Sequence, residues 1–287
     1  MDKSTQLLFK KLDLAGVKTL VSWAEKEGWN PGPFDAEAFF HADPDGFYGY
    51  FKEEEMLGGG SIVSYNGEFG FMGFFIMKPE YRGTGLGREL WYQRRDTLLK
   101  RLHKGAAIGM DGVVAMQPFY KKGGFEIAFI DKRYERKGEA FELEPHISPV
   151  TKADYPQLLT LDKKCFGFDR TQFMNKWLQL QENKTFKMVV NDRLLGFAIM
   201  RRAAIGYKIC PLFAEDYCVA EALYKACLNA TKDESVFLDI PTTNPEAVRL
   251  VENFGGTYVF ECARMYYGTP PDLPMNKIFG ITTFELG

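Results

Sequence analysis

Residues 69–88 read FGFMGFFIMKPEYRGTGLGR, and no other stretch restricts the folding of this chain as strongly. Phe69 to Met77 is an aromatic-rich apolar run of strand character, Pro79 interrupts it, and a helical pattern follows to about Leu102. Between them stand Gly83, Gly85 and Gly87, which bare the main chain just where a helix presents unpaired N–H groups and the positive end of its dipole. A strand feeding a helix through such a loop makes an anion site, most naturally for phosphates, and places the chain among the α/β or α+β folds.

The rest of the chain supplies no rival device for anions. A formal net charge of −2 and a pI near 6.0 give no general attraction to nucleic acid or anionic membranes. The cysteines, Cys165, Cys210, Cys218, Cys227 and Cys262, are odd in number and lack Cys-x-x-Cys spacing, so they read as reduced thiols. His41, His103 and His146 are far apart without metal-ligand spacing, and no metal is expected. No run of about 18 apolar residues occurs, and the N-terminal segment lacks a signal-peptide pattern, so a cytoplasmic, soluble protein is expected.

At 287 residues the chain suggests two domains. Before residue 138, helical patterns (Leu14 to Lys26, Asp35 to His41) precede three strand-like runs joined by turns that include Asn66-Gly67, a hairpin signal. After the glycine loop and its helix come a strand at Ala106 to Val114, a short helix near Pro118 and a strand from Phe125. Residues 139–148 suit a linker, and over 149–287 the order of elements restarts. The charged stretch from Arg94-Arg95 to Lys104 reads as the wet face of a helix.

Three phosphate loops compete for the glycines. A dinucleotide fingerprint needs Gly-x-Gly-x-x-Gly, and a P-loop needs Gly-Lys-Ser/Thr after four spacers; the chain has neither. Arg82-x-x-Gly85-x-Gly87 remains, and with it the chain resembles the GNAT N-acetyltransferase superfamily. Phe74 to Gly87 looks like that family's fourth strand and coenzyme A loop, and Phe119-Tyr120-Lys-Lys-Gly-Gly-Phe125 looks like its second signature. Glu27-Gly-Trp-Asn-Pro-Gly32, Asp43-Pro-Asp-Gly-Phe47 and the tail motifs Ile278-Phe-Gly280 and Phe284-Glu-Leu-Gly287 narrow the resemblance to tandem, YitH-like members.

The resemblance implies two tandem domains, each with a mixed, mostly antiparallel splayed sheet flanked by helices. It implies that the pantetheine arm of acetyl-CoA pairs with the main chain of Phe74, Phe75, Ile76 and Met77, while Arg82, Gly83, Thr84, Gly85, Leu86, Gly87 and Arg88 hold the pyrophosphate. Tyr120 would then give a proton to the departing thiolate, although its ring also suits a core position. Phe69 to Met77 lacks the strand carboxylate many relatives carry; Asp111 is a candidate base, or else caps a turn before Gly112. Trp29, Asn30 and Asp35 fall where acceptor-binding residues sit, Trp29 as a wall and Asp35 as an attractor for a cationic amine, or, on the plainer reading, as a helix cap.

In the second half, residues 209–217 (ICPLFAEDY) stand where the glycine loop would be and put Glu215 and Asp216 where a phosphate would rest, so a degenerate domain is expected there. The resulting expectation is an acetyl-CoA-dependent N-acetyltransferase acting on a small-molecule or amino-acid-like primary amine. A non-catalytic acyl-CoA sensor is the alternative, and a nucleotide-phosphate enzyme a third reading that predicts binding of ATP or NAD.

Overall fold

The computed structural model describes residues 7–287. The first half runs β1 (Leu7–Lys11), α1 (Leu14–Lys26), α2 (Asp35–Ala42), β2 (Phe47–Lys52), β3 (Glu55–Tyr65), β4 (Phe69–Met77), α3 (Leu86–Leu99), β5 (Ala107–Val113), α4 (Gln117–Lys122) and β6 (Glu126–Lys137). The second runs β7 (Ile147–Pro149), α5 (Tyr155–Phe166), α6 (Thr171–Trp177), β8 (Lys184–Val190), β9 (Arg193–Arg202), β10 (Tyr207–Ala214), α7 (Tyr217–Asn229), β11 (Ser235–Pro241), α8 (Pro245–Asn253), β12 (Thr257–Tyr267) and β13 (Ile278–Gly280). Among the described residues, no helix is long and apolar enough to cross a membrane.

Local chemistry sets the ends of these elements. Asp13 caps α1 by accepting from the Gly16 amide at 2.9 Å, and Asp216 caps α7 by accepting from Val219 at 3.0 Å. Asn66 and Gly67 both take positive φ (53° and 74°), as a tight hairpin between β3 and β4 requires. Residues 209–214, expected to replace a loop, instead complete strand β10, so in the second half the strand leads almost directly into helix α7.

The strands form one continuous mixed sheet in the order β1-β2-β3-β4-β5-β12-β6-β11-β10-β9-β8-β7, with β13 on β10. Among the described strands, only the pairs β4/β5 and β10/β11 are parallel. Each parallel pair holds together for three residue pairs, Phe69↔Ala107 to Phe71↔Gly109 and Tyr207↔Val236 to Ile209↔Leu238, and then parts. The sheet therefore opens twice, once in each half.

The halves are distinct in sequence but interlock in the sheet. Strand β12 inserts beside β5, and β6 in turn lies between β12 and β11, so each half contributes a strand to the other's side. The main core is shared as well: Val17, Leu20, Phe39 and Phe74 pack in one cluster with Phe173, Trp177, Phe197 and Leu286. Charges line the seam. Arg133 makes a two-pronged ion pair with Asp239 (2.6 Å to each oxygen), and Arg201 meets Asp35 at 3.0 Å.

Arg94 corrects the expectation of a wholly solvated basic face on α3. It is fully buried, and its guanidinium donates to the carbonyls of Ser61 (2.5 Å) and Gly73 (2.6 Å). Gly60 makes this possible, since a Cβ there would overlap the guanidinium. No carboxylate pairs with it among the described residues, and burial draws its pKa down.

Candidate active site

The gap between β4 and β5 is a cavity of about 680 Å³. At its mouth lies the glycine loop. Gly83 and Gly85 take φ of 74° and 92°, a region L-residues other than glycine enter at a cost, and Gly85 is the N-cap residue of α3. A Cβ at either glycine would meet nothing within 4 Å, so the glycines serve backbone conformation and leave the cavity side of the loop open. Among the described residues no backbone acceptor pairs with the amides of Gly83, Thr84 or Gly85. These amides and the N-terminus of the 14-residue helix α3 offer an anion what a phosphate needs.

Of the expected cofactor residues, Phe74, Phe75, Ile76, Met77, Arg82, Gly83, Gly85, Gly87 and Arg88 line the cavity. Thr84 shapes the loop by donating its hydroxyl to the Tyr81 carbonyl at 2.8 Å, and neither it nor Leu86 faces the cavity. Arg82 donates to the Met77 carbonyl at 2.9 Å and pairs with Glu27 beyond the end of α1, which fixes the loop against the first helix. Arg88 is exposed, without an ion pair among the described residues. Beyond the three paired residues, β4 turns at Phe74, whose φ of 49° marks an irregularity, and its edge toward β5 is left unpaired from Met72 to Met77. An unpaired strand edge beside a cavity is suited to an extended chain carrying amides.

Deeper in, Tyr120 is buried with its ring stacked on Trp91 (5.9 Å between centroids) and lines the cavity with Met110, Met116 and Cys262. Gly112 is bare because a Cβ would press on the Tyr120 ring at 2.9 Å. Burial holds this phenol above its ordinary pKa, so it keeps its proton throughout the physiological range.

Asp111 belongs to a different arrangement from the one its position suggested. Its side chain is fully covered and accepts from both sides of the Arg264 guanidinium, at 2.7 and 2.9 Å, across the β5–β12 seam. Burial pushes its pKa up to about 6, while the charge and hydrogen bonds of Arg264 act in the opposite direction. Asp111 is among the residues that line the cavity, but a carboxylate covered and saturated by arginine is a strut between the halves and a poor proton acceptor for a substrate.

Of the three expected acceptor residues only Trp29 lines the cavity. Asn30 bridges instead to the Ile205 backbone, accepting from its amide at 2.7 Å and donating to its carbonyl at 3.0 Å. Asp35 is buried at the start of α2, where it accepts from the Gly32 amide at 2.7 Å and pairs with Arg201. Both tie the loop after α1 to the second half.

Four unanticipated lining residues come from the second half: Phe260 and Cys262 from β12, and Phe284 and Glu285 from the segment after β13. Phe260 and Phe284 lie 5.7 Å apart, and the Arg133 guanidinium sits against both rings while donating to the Trp29 carbonyl. Trp29 in turn lies 6.5 Å from Phe74. One end of the cavity is thus an aromatic chamber built from both halves. The sequence carried one trace of it, the Phe284-Glu285-Leu286-Gly287 motif, without a sign of where it docks.

Among the described residues, the opening between β10 and β11 is occupied by the chain itself. Strand β13 fills it: Leu212 pairs with Gly280, and the Ile281 amide donates to the Asp239 carbonyl at 2.9 Å. Glu215 at its mouth is occupied by Lys277 and Arg193.

Known proteins share this design. A family model described as "Acetyltransferase (GNAT) family" matches residues 14–125, and one described as "Acetyltransferase (GNAT) domain" matches residues 158–280. The chain is 28% identical over 267 residues to a holothin acyltransferase from Pseudoalteromonas sp. (strain SANK 73390), covering 92% of this chain and 89% of the relative. A solved structure of an assigned acetyltransferase from Pyrococcus horikoshii superposes with a TM-score of 0.84 at 22% identity, over 100% of this chain and 98% of that one. A tandem GNAT protein from the clavulanic acid biosynthesis pathway superposes with a TM-score of 0.66 at 11% identity, over 93% of this chain and 100% of the other. A loop of bare amides before α3, a sheet that opens beyond it and two matched domains lead to one assignment: the chain belongs to the GNAT acyltransferase superfamily and carries two GNAT domains in tandem.

Proposed function

We propose that this protein is an acetyl-CoA-dependent N-acetyltransferase with one working site, in the opening between β4 and β5, and that its acceptor is the primary amine of a small molecule. The observation that carries this reading is the continuity of a single cavity from the unpaired loop amides of residues 83–85, along the free edge of β4, to Tyr120. Acetyl-CoA would supply the activated acyl group. The residues present fit it: loop amides with Arg82 and Arg88 for the pyrophosphate, the β4 main chain for the pantetheine amides, and the Tyr120 hydroxyl as a proton source where the sulfur would end.

The cavity's far end supports a small acceptor of apolar, aromatic character, and the relative named a holothin acyltransferase supports acyl transfer as the reaction. The test is incubation of the full chain with acetyl-CoA and a panel of primary amines while free thiol is followed. Amine-dependent thiol release with an acetylated product supports the proposal. Micromolar or tighter CoA binding with no turnover across aliphatic and aromatic amines would instead make the protein an acyl-CoA sensor. Preferential binding of ATP or NAD in equilibrium dialysis would discard both.

A further inference from the structure

Strand β4 supplies no ionisable side chain to the cavity, yet the cavity contains a carboxylate beside it. Residues 281–287 leave β13, cross from the second half to the first, and dock on β3 and β4. The Ser61 hydroxyl donates to the Glu285 carbonyl at 3.2 Å while accepting from the Gly73 amide at 3.0 Å, and Tyr65 donates to the Leu286 carbonyl at 2.7 Å. Arg170 holds the Gly287 carbonyl at 2.7 Å, and the Thr283 hydroxyl accepts from the Leu286 amide at 2.9 Å. Gly73 is bare because a Cβ there would overlap the Glu285 carbonyl oxygen. Main-chain contacts therefore fix Glu285 next to the turn at Phe74.

Its side chain is treated unlike its neighbours. Glu285 is 6% exposed and lines the cavity, but among the described residues its carboxylate makes no hydrogen bond or ion pair. The charged groups around it are already engaged: Arg133 with Asp239, Arg201 with Asp35, Arg264 with Asp111, and Lys208 with the Trp29 carbonyl at 2.9 Å. The three arginine–carboxylate pairs balance one another, and Lys208 adds a positive group in the vicinity without an ion pair to Glu285, so no contact satisfies this carboxylate. A buried carboxylate without a partner, opening into a cavity, calls for a cationic ligand. The walls beside it, Trp29, Phe74, Phe260 and Phe284, add aromatic faces that favour a cation and a flat apolar body.

We infer that Glu285 is the acceptor-binding residue of this site: its carboxylate receives the ammonium of an arylalkyl or heteroaromatic primary amine, whose ring lies among the four aromatic walls. The same carboxylate then takes one proton from the bound ammonium, which leaves a neutral amine and a protonated Glu285. The side chain thus stands in for the missing strand carboxylate, delivered by the end of the chain that also plugs the second half. This rests on the acyltransferase reading for its purpose, but its test does not need turnover.

The probes are phenethylamine and its neutral counterpart 2-phenylethanol, titrated calorimetrically into CoA-loaded full-length protein, wild type and Glu285→Gln. The wild type should bind the amine at least about 30-fold more tightly than the alcohol, and Glu285→Gln should reduce that preference to less than about threefold, with Glu285→Asp recovering part of it. CoA affinity and melting temperature measured on the same samples should stay within twofold and about 2 °C of wild type, because the substituted atoms make no internal hydrogen bond. A wild type that does not prefer the amine, or a preference that survives Glu285→Gln, overturns the inference. Absence of thiol release with every amine, while the ammonium preference and its loss are observed, would overturn the acyltransferase reading and leave the amine site standing.

Discussion

Substituting Gly85 by valine separates the backbone role of the glycine loop from its ligand role. Gly85 has φ 92° and ψ −20°, and a Cβ there meets no atom within 4 Å, so the fold itself resists the change only through dihedral strain. Holding an L-residue in the left-handed region costs about 1–2 kcal/mol, somewhat more when it is β-branched, against a total stability on the order of 5–15 kcal/mol; the variant should fold. The ligand loses more. Each amide-to-phosphate hydrogen bond is charge-assisted and worth about 1.5–3 kcal/mol, so a side chain that displaces the phosphate from two of the free amides at residues 83–85 removes about 3 kcal/mol or more, an affinity loss of roughly 100-fold. Gly255→Val is the matched control: φ is 66°, a Cβ again meets nothing within 4 Å, and the residue lies outside the cavity. Isothermal titration with CoA should find Gly255→Val binding as the wild type does and Gly85→Val binding about 100-fold more weakly, with similar losses in urea unfolding. A Gly85→Val protein that binds CoA within twofold of wild type would refute the assignment of the loop.

Three further outcomes follow from the geometry. Tyr120→Phe keeps the stack on Trp91 but removes the hydroxyl, so thiol release in a stopped-flow assay should slow by about 100-fold or more with CoA affinity unchanged. Arg264→Met leaves Asp111 buried and uncompensated, a cost of about 3–5 kcal/mol by urea titration, and adding Asp111→Leu should return most of it. Lys208 is buried, and desolvation with the nearby charges of Arg133 and Arg201 lowers its pKa to about 7. Between about 7 and the ordinary lysine value the unfolded chain therefore holds more protons than the folded one, so wild-type stability gains a rising component with pH across that window; Lys208→Met should flatten it when urea midpoints at pH 7 and pH 9 are compared.

Features set by neighbouring residues were legible in the sequence. The glycine loop, the Asn66-Gly67 hairpin and most helix starts depend on dihedrals and caps that a few adjacent residues determine, and residues of the motif pair at 82–87 and 119–125 line one cavity. Features set across the chain were not. The alternating side chains of β6 and β12 suit a strand beside either half, and nothing local tells β12 to pair with β5, so the interlocking of the halves is written only in long-range packing. Arg94 sits on a helix with the spacing of a solvated face, and only the absence of a side chain at Gly60, 34 positions away, makes room for it inside. The resemblance puts Asp111, Asn30 and Asp35 near a ligand, and short-range chemistry offers Asp111 and Asp35 a turn or helix cap instead; neither reading reveals a partner far along the chain. Their partners, Arg264, Ile205 and Arg201, lie in the other half of the chain.

The interlocked sheet gives the second half a part in the first half's chemistry even though its own opening is filled. Strand β12 pairs with the edge of β5 opposite β4, so β5 keeps a partner where β4 parts from it, and Phe260 and Cys262 of β12 line the cavity. Strand β13 fills the gap between β10 and β11, so the segment after it emerges at the seam, within reach of β3 and β4. One physical circumstance thus accounts for both facts. A sheet opening exposes main-chain groups that need partners; β13 satisfies them in the second half, while among the described residues those of β4 that face β5 beyond Phe71 have no strand partner. The half that satisfied its own edge is the half that places this segment, which brings to the open half the carboxylate that β4 lacks and one more aromatic ring, Phe284.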